Sequence, residues 1–132
     1  METVIRRAVA EAALAELELT APGCGRQRFR LAPEFPGFSG HFPDNPVLPA
    51  MLQVLMGVMV CEKTVGCPLV LTRVERAKFV TQVQPAQEIA VACRLETVNA
   101  EIRARVELEA EGRRAASMQL LLESVDNETV SE

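Results

Sequence analysis

The sequence predicts an α+β protein in which one curled antiparallel sheet wraps a central apolar helix. Three observations predict it. The segment after Pro49 is apolar almost without interruption to about Lys63, so a helix there needs cover on most sides. The segment from Leu69 onward is built of β-branched and alternating stretches with short connections, which suit hairpins rather than crossovers. The length, 132 residues, gives one domain a real core and does not stretch to two. A sheet curling round the helix buries both at once.

The elements follow in order. Residues 2–15 place Val4, Ile5, Ala8, Val9 and Ala12 at helical spacing, with Arg6, Arg7 and Glu11 elsewhere, which predicts a short amphipathic helix. Leu17 and Leu19 open an extended stretch that Pro22-Gly23 breaks. Gln27 to Leu31 alternates as a strand does, and Pro33 to Pro49 is a loop rich in proline and glycine. Pro49 suits the first turn of a helix, where a missing N–H costs nothing. That helix carries Met51, Leu52, Val54, Leu55, Met56, Val58, Met59 and Val60, and Gly66 and Pro68 end the region. Three or four strands follow. The first spans Leu69 to Val83; the next puts Ile89, Val91, Cys93 and Leu95 on one face. Ile102, Ala104, Val106, Leu108 and Ala110 alternate with charged residues, a strong sign of a half-buried strand. Glu111-Gly112 suits a hairpin turn before the last strand, Arg113 to Val125. Residues 126–132 read as a polar tail, and the whole chain, 1–132, as a single domain.

Composition narrows the function classes. A net charge of −4 gives no general attraction for nucleic acid. The four cysteines form no C-x-x-C pair and there is one histidine, so no metal or other cofactor is expected. Cys61 and Cys93 lie in apolar runs and read as small core residues. The N-terminus lacks the apolar block of a signal peptide, and the longest apolar run, Val47 to Cys61, falls short of the roughly 20 residues that cross a bilayer. A reducing cytoplasm, with no membrane partner, is the expectation.

The single histidine, His41, stands in Gly-His-Phe-Pro-Asp-Asn-Pro-Val-Leu-Pro-Ala, Gly40 to Ala50. Prolines at 43, 46 and 49 stiffen the backbone beside an imidazole, the side chain best suited to move a proton near neutral pH. A rigid loop that presents one titratable group and feeds a buried helix is a site-like arrangement. Phe35, Phe38 and Phe42 suit either the lining of an acyl tunnel or packing within the loop. Gln53, the one polar residue inside the apolar helix, needs hydrogen-bond partners if buried: a water or ligand oxygen, the backbone, or its twin across an interface.

These residues resemble the hotdog-fold dehydratases that act on 3-hydroxyacyl thioesters carried by acyl carrier protein. Gly40, His41, Phe42, Pro43, Pro46 and Pro49 match their signature, and Ala77-Lys78-Phe79 and Val83-Gln84-Pro85 are similar to the strand after the helix. The resemblance spans about residues 24–125, and Gln53 with the Glu-Phe-Pro-Gly-Phe lead-in is most similar to the dehydratase-like proteins of aryl-polyene biosynthesis. It implies a hotdog fold, His41 as base, the Val47 carbonyl holding the imidazole, the residue-50 N–H on the thioester carbonyl, and Phe38, Phe42, Gln53 and Leu55 around the substrate. It also implies an acyl carrier protein or coenzyme A thioester as ligand, and a homodimer or higher oligomer with sites built across the interface.

Two positions depart from the pattern. The family's glycine is Ala50, which keeps the N–H and the helix-end dipole. The family's catalytic acid is Leu55, and a positioned acid is worth about 10²–10⁴ in rate. Glu62, seven residues on, is about 10 Å further along the helix and suits a solvated helix end. Asp44 suits a turn, and Glu34 precedes Phe35. Three readings follow: a dehydratase, with the acid supplied by an acid-bearing homologue in a heterodimer or done without; a non-catalytic acyl-binding subunit; and a thioesterase in which Gln53 orients water. Two basic sets, Arg73, Arg76, Lys78 and Arg26, Arg28, Arg30, suit either an acidic carrier and its phosphate or a solvated strand face.

Overall fold

The computed structural model describes residues 2–38 and 46–125. Its elements are α1 (Glu2–Glu11), β1 (Glu18–Ala21), β2 (Cys24–Arg30), a 3-10 turn at Pro36–Phe38, α2 (Ala50–Val65), β3 (Leu69–Phe79), β4 (Glu88–Val98), β5 (Glu101–Ala110) and β6 (Arg113–Ser124). The strands form one six-stranded antiparallel sheet in the order β1-β2-β4-β5-β6-β3. Four strands follow α2, as expected, and β1 and β2 extend them from before it.

The alternation in β5 does what its spacing predicts. Ala104, Val106, Leu108 and Ala110 are buried while Arg103, Arg105 and Glu109 are exposed. Val106 lies opposite Cys93 on β4 and Met118 on β6, so one apolar row crosses three strands beneath α2. Glu111 and Gly112 join β5 to β6 with φ of 53° and 80°, the doubly left-handed turn that matches strand twist. Asn99 and Ala100 make the same kind of turn between β4 and β5, with φ of 52° and 68°.

Helix α2 is the centre. Val54, Met56, Gly57, Val58, Met59, Val60 and Cys61 are all buried in it. Glycines let it sit close to the sheet. A Cβ on Gly57 would meet the Val106 side chain at 3.0 Å, and a Cβ on Gly25 of β2 would collide with the Thr64 side chain. The helix ends as predicted at Gly66, left-handed at φ 81°, whose N–H donates to the Glu62 carbonyl at 2.7 Å.

Several expectations need correcting. Helix α1 stops at Glu11 rather than at 15, because the next residues turn to β2: Leu14 N–H donates to Arg28 O at 2.8 Å and Arg30 N–H to Ala12 O at 3.0 Å. Strand β2 starts at Cys24, before Gln27, and β3 ends at Phe79, short of Val83. Pro49 precedes the helix, extended at φ −62° and ψ 152°, rather than lying in its first turn. The predicted tail, 126–132, lies outside the described residues. No helix among the described residues is long and apolar enough to cross a membrane.

Candidate functional site

The candidate site residues gather at the start of α2. The loop before it is clamped by Leu48, whose N–H donates to Val83 O at 2.8 Å. Pro49 occupies the cap position without a side-chain hydrogen bond to the helix. Leu52 and Gln53 N–H groups both reach back to Pro49 O, at 3.1 and 3.2 Å. The N–H groups of Ala50 and Met51 precede any possible intrahelical acceptor, and the helix dipole adds partial positive charge there. This end therefore suits a carbonyl or another electron-rich oxygen.

Gln53 faces inward one turn below. It is 3 % exposed, and its Nε2 donates to Leu48 O at 3.1 Å. Its Oε1 is buried with no hydrogen-bond partner among the described residues. Of the partners the sequence allowed, the backbone takes the amide nitrogen; the oxygen still holds an unused acceptor.

An aromatic wall stands beside this end. The rings of Phe35 and Phe38 meet edge to face, 5.8 Å between centroids and 75° between planes, and both are buried. Gly37 between them packs directly against Leu52 and Phe35, which seats the 3-10 turn on the first turn of α2. Phe38 thus stands in a turn seated on α2, Val47 lies just before the helix, and Ala50, Gln53 and Leu55 lie in its first two turns. Val47 and Leu55 are half-buried and Ala50 is exposed. His41, Phe42 and Asp44 lie outside the described residues.

The replacements for an acid at Leu55 divide clearly. Glu62 is not a solvated helix end. It pairs with Arg6 at 2.8 Å and accepts the Leu69 N–H at 3.0 Å, so it ties α2 to α1 and to β3. Glu34 is exposed. Met51, on a helix expected to be covered on most sides, is 73 % exposed, while Met56 and Met59 are buried. Helical spacing alone did not show that the first turn of α2 leaves the sheet's cover.

The basic sets also divide. Arg28 and Arg30 both reach Glu88, at 3.2 and 3.4 Å, and Arg73 reaches Glu75 at 3.3 Å. No ion pair among the described residues includes Arg76 or Lys78.

Two features escaped the sequence reading. Gln27 is a second buried amide, with Nε2 on Ala15 O at 3.0 Å and Oε1 without a partner among the described residues. Its alternating place in β2 was the available signal. Cys61 and Cys93, read correctly as core, also touch. The hydrogen bond to Cys93 and burial push the Cys61 thiol well above its ordinary range. The bond from Cys61 pulls Cys93 down to about 6 against burial, helped by Thr64 and the Gly25 N–H.

One curled sheet around an apolar helix defines a hotdog protein, and solved structures agree. The dehydratase heterocomplex ApeI:P from Xenorhabdus doucetiae matches with a TM-score of 0.71 at 19% identity, over 83% of this chain and 95% of that one. A hypothetical thioesterase with coenzyme A from Streptococcus pneumoniae matches with a TM-score of 0.68 at 8% identity, over 92% and 94%. A hypothetical thioesterase-superfamily protein from Thermus thermophilus matches at 0.66 and 17% identity, over 86% and 89%. These likenesses concern the fold. A search by sequence among curated proteins gives no match. The chain belongs to the ApeI-like dehydratase family, whose model, described as ApeI dehydratase, matches residues 23–119.

Proposed function

We propose that this chain binds an acyl thioester, carried by acyl carrier protein or coenzyme A, and takes part in removing water from its 3-hydroxyacyl form. The Ala50 N–H and the dipole of α2 polarise the thioester carbonyl. That acidifies C2, and His41 takes the C2 proton as the C2=C3 double bond forms. The C3 hydroxyl leaves as water once an acid protonates it. Leu55 supplies no proton, so the acid comes from a second, acid-bearing hotdog subunit. The observation that supports this reading is the start of α2, whose first N–H groups have no intrahelical acceptor and where the buried Gln53 Oε1 has no partner among the described residues.

The second subunit docks on β3 in this reading. Strand β3 is an edge of the sheet, eleven residues long, and open edges invite pairing. Val70, Val74, Phe79 and Val80, on and just beyond it, are exposed, as is Met51 on α2. A homodimer formed this way carries two sites without the acid and binds acyl chains without fast turnover; a heterodimer carries one complete site. The compartment is the cytoplasm.

Incubation with a 3-hydroxyacyl thioester tests this. The chain alone gives saturable binding and little enoyl product. An acid-bearing homologue, or Leu55→Glu, raises turnover by about 10²–10⁴. Failure of both additions to raise enoyl formation overturns the dehydratase reading. Release of free acid and thiol instead favours a thioesterase, the reading that the free Gln53 Oε1 supports through a bound water.

A further inference from the structure

A second open place lies beside the other end of α2, where the link from α1 to β1 passes over β2. Ala13, Leu14 and Leu17 wall a groove of about 600 Å³, and Glu16, Gln27 and Lys63 supply its polar lining. Lys63 follows Ala50 by thirteen residues, about 20 Å along the helix, so the groove is separate from the start of α2. It lies on the β1 and β2 side of the sheet, opposite to the β3 edge. Gln27 shares the buried row of β2 with Gly25 and Phe29 and is 4 % exposed. Its Nε2 is held by Ala15 O, and its Oε1 is buried with no partner among the described residues. Leu14, Ala15 and Glu16 are exposed. No ion pair among the described residues includes Glu16 or Lys63, although both line the one groove.

We propose that this groove binds an α-amino acid with a large apolar side chain. The lining carries one cation, one anion and one unmatched acceptor, and every other lining residue is alanine or leucine. A zwitterion meets all of them. Its carboxylate pairs with the Lys63 ammonium. Its own ammonium has three N–H donors, enough for the Glu16 carboxylate and the Gln27 Oε1 together. Its side chain covers Ala13, Leu14 and Leu17 and takes apolar surface out of water. A simple carboxylic acid leaves Glu16 and Oε1 unmatched, and a simple amine leaves Lys63 unmatched. Oε1 sits just under the surface, so the ligand N–H reaches it as the exposed Ala15–Glu16 backbone moves aside. An unmatched buried acceptor costs stability in the empty protein, and the ligand N–H recovers that cost. Occupancy of this groove is independent of thioester chemistry at the start of α2.

Calorimetric titration of the full chain with L-phenylalanine tests the site. Phenethylamine and 3-phenylpropionate serve as controls that keep the ring and carry one charge each. L-Phenylalanine binds once per chain with a dissociation constant of about 1 mM or tighter, and both controls bind at least about tenfold more weakly. Lys63→Gln and Glu16→Gln each weaken binding by about threefold to tenfold with the melting temperature unchanged, because both residues are exposed. Gln27→Leu weakens it by about tenfold, while the melting temperature holds or rises because the unmatched oxygen is gone. Absence of saturable L-phenylalanine binding overturns the proposal. So does binding that Lys63→Gln and Gln27→Leu leave unchanged, or a control that binds as tightly as the amino acid. None of these outcomes bears on enoyl formation.

Discussion

The two ends of α2 are built on opposite principles. At its C-terminal end Glu62, Thr64 and Gly66 are all committed. Glu62 holds Arg6 and the Leu69 N–H, Thr64 Oγ1 donates to Val60 O at 2.8 Å, and Gly66 closes the last turn. Gly25 and Thr64 are in such close contact that even a methyl group would not fit between them. At its N-terminal end the cap makes no side-chain bond, Met51 is exposed, and Gln53 Oε1 has no hydrogen-bond partner among the described residues. Groups left unsatisfied cost stability in the resting protein and are useful where a ligand will meet them. One end of the helix fixes the structure; the other is the end to which the proposed function assigns the chemistry.

The sharpest way to break this comparison is His41→Ala in the presence of an acid-bearing partner. Dehydration falls by about 10²–10⁴ with the melting temperature unchanged, measured by enoyl formation and thermal unfolding. Next in size is the contrast between two methionines. Met56→Ala, at a fully buried position, costs about 2–5 kcal/mol, while Met51→Ala stays within about 0.5 kcal/mol; denaturant unfolding reads both. Gly25→Ala overpacks the closed end by about 1–3 kcal/mol, and adding Thr64→Ala restores most of the loss if the Thr64 side chain is the obstacle. Gln53→Leu changes stability by about 1 kcal/mol or less, since it deletes an unpaired oxygen along with one bond to Leu48 O, yet it weakens thioester binding. Glu62→Gln costs about 0.5–1 kcal/mol, because Arg6 is partly solvated and glutamine can still accept the Leu69 N–H.

The same contrast explains what the sequence could show. The apolar run of α2, the alternation of β5 and the Glu111-Gly112 turn carry local signals strong enough to place the helix, the sheet and their order. Strand β1 was legible only as an extended stretch that Pro22-Gly23 ends: all four of its residues are exposed, and pairing with β2 makes it a strand. The early end of α1 is likewise decided by backbone bonds to β2, far along the chain. At the site, the histidine–proline spacing pointed to the start of α2, and the buried amide there was legible as the lone polar residue in an apolar run. The role of Glu62 was not, because its partners are 56 residues before it and across the Gly66 turn. The exposure of Met51 was equally hidden, since periodicity says which face a residue takes but not where the sheet's cover stops.

The tight seat of Thr64 on Gly25 leaves the helix no room to slide toward β2. If the chain binds acyl thioesters as proposed, room for a bulkier tail comes from the Phe35–Phe38 turn resting on Leu52, which is held by ring contacts and local turn bonds rather than by a strand ladder. Selectivity for chain length would then be tuned by trimming Phe35 or Phe38, leaving the scaffold beneath untouched.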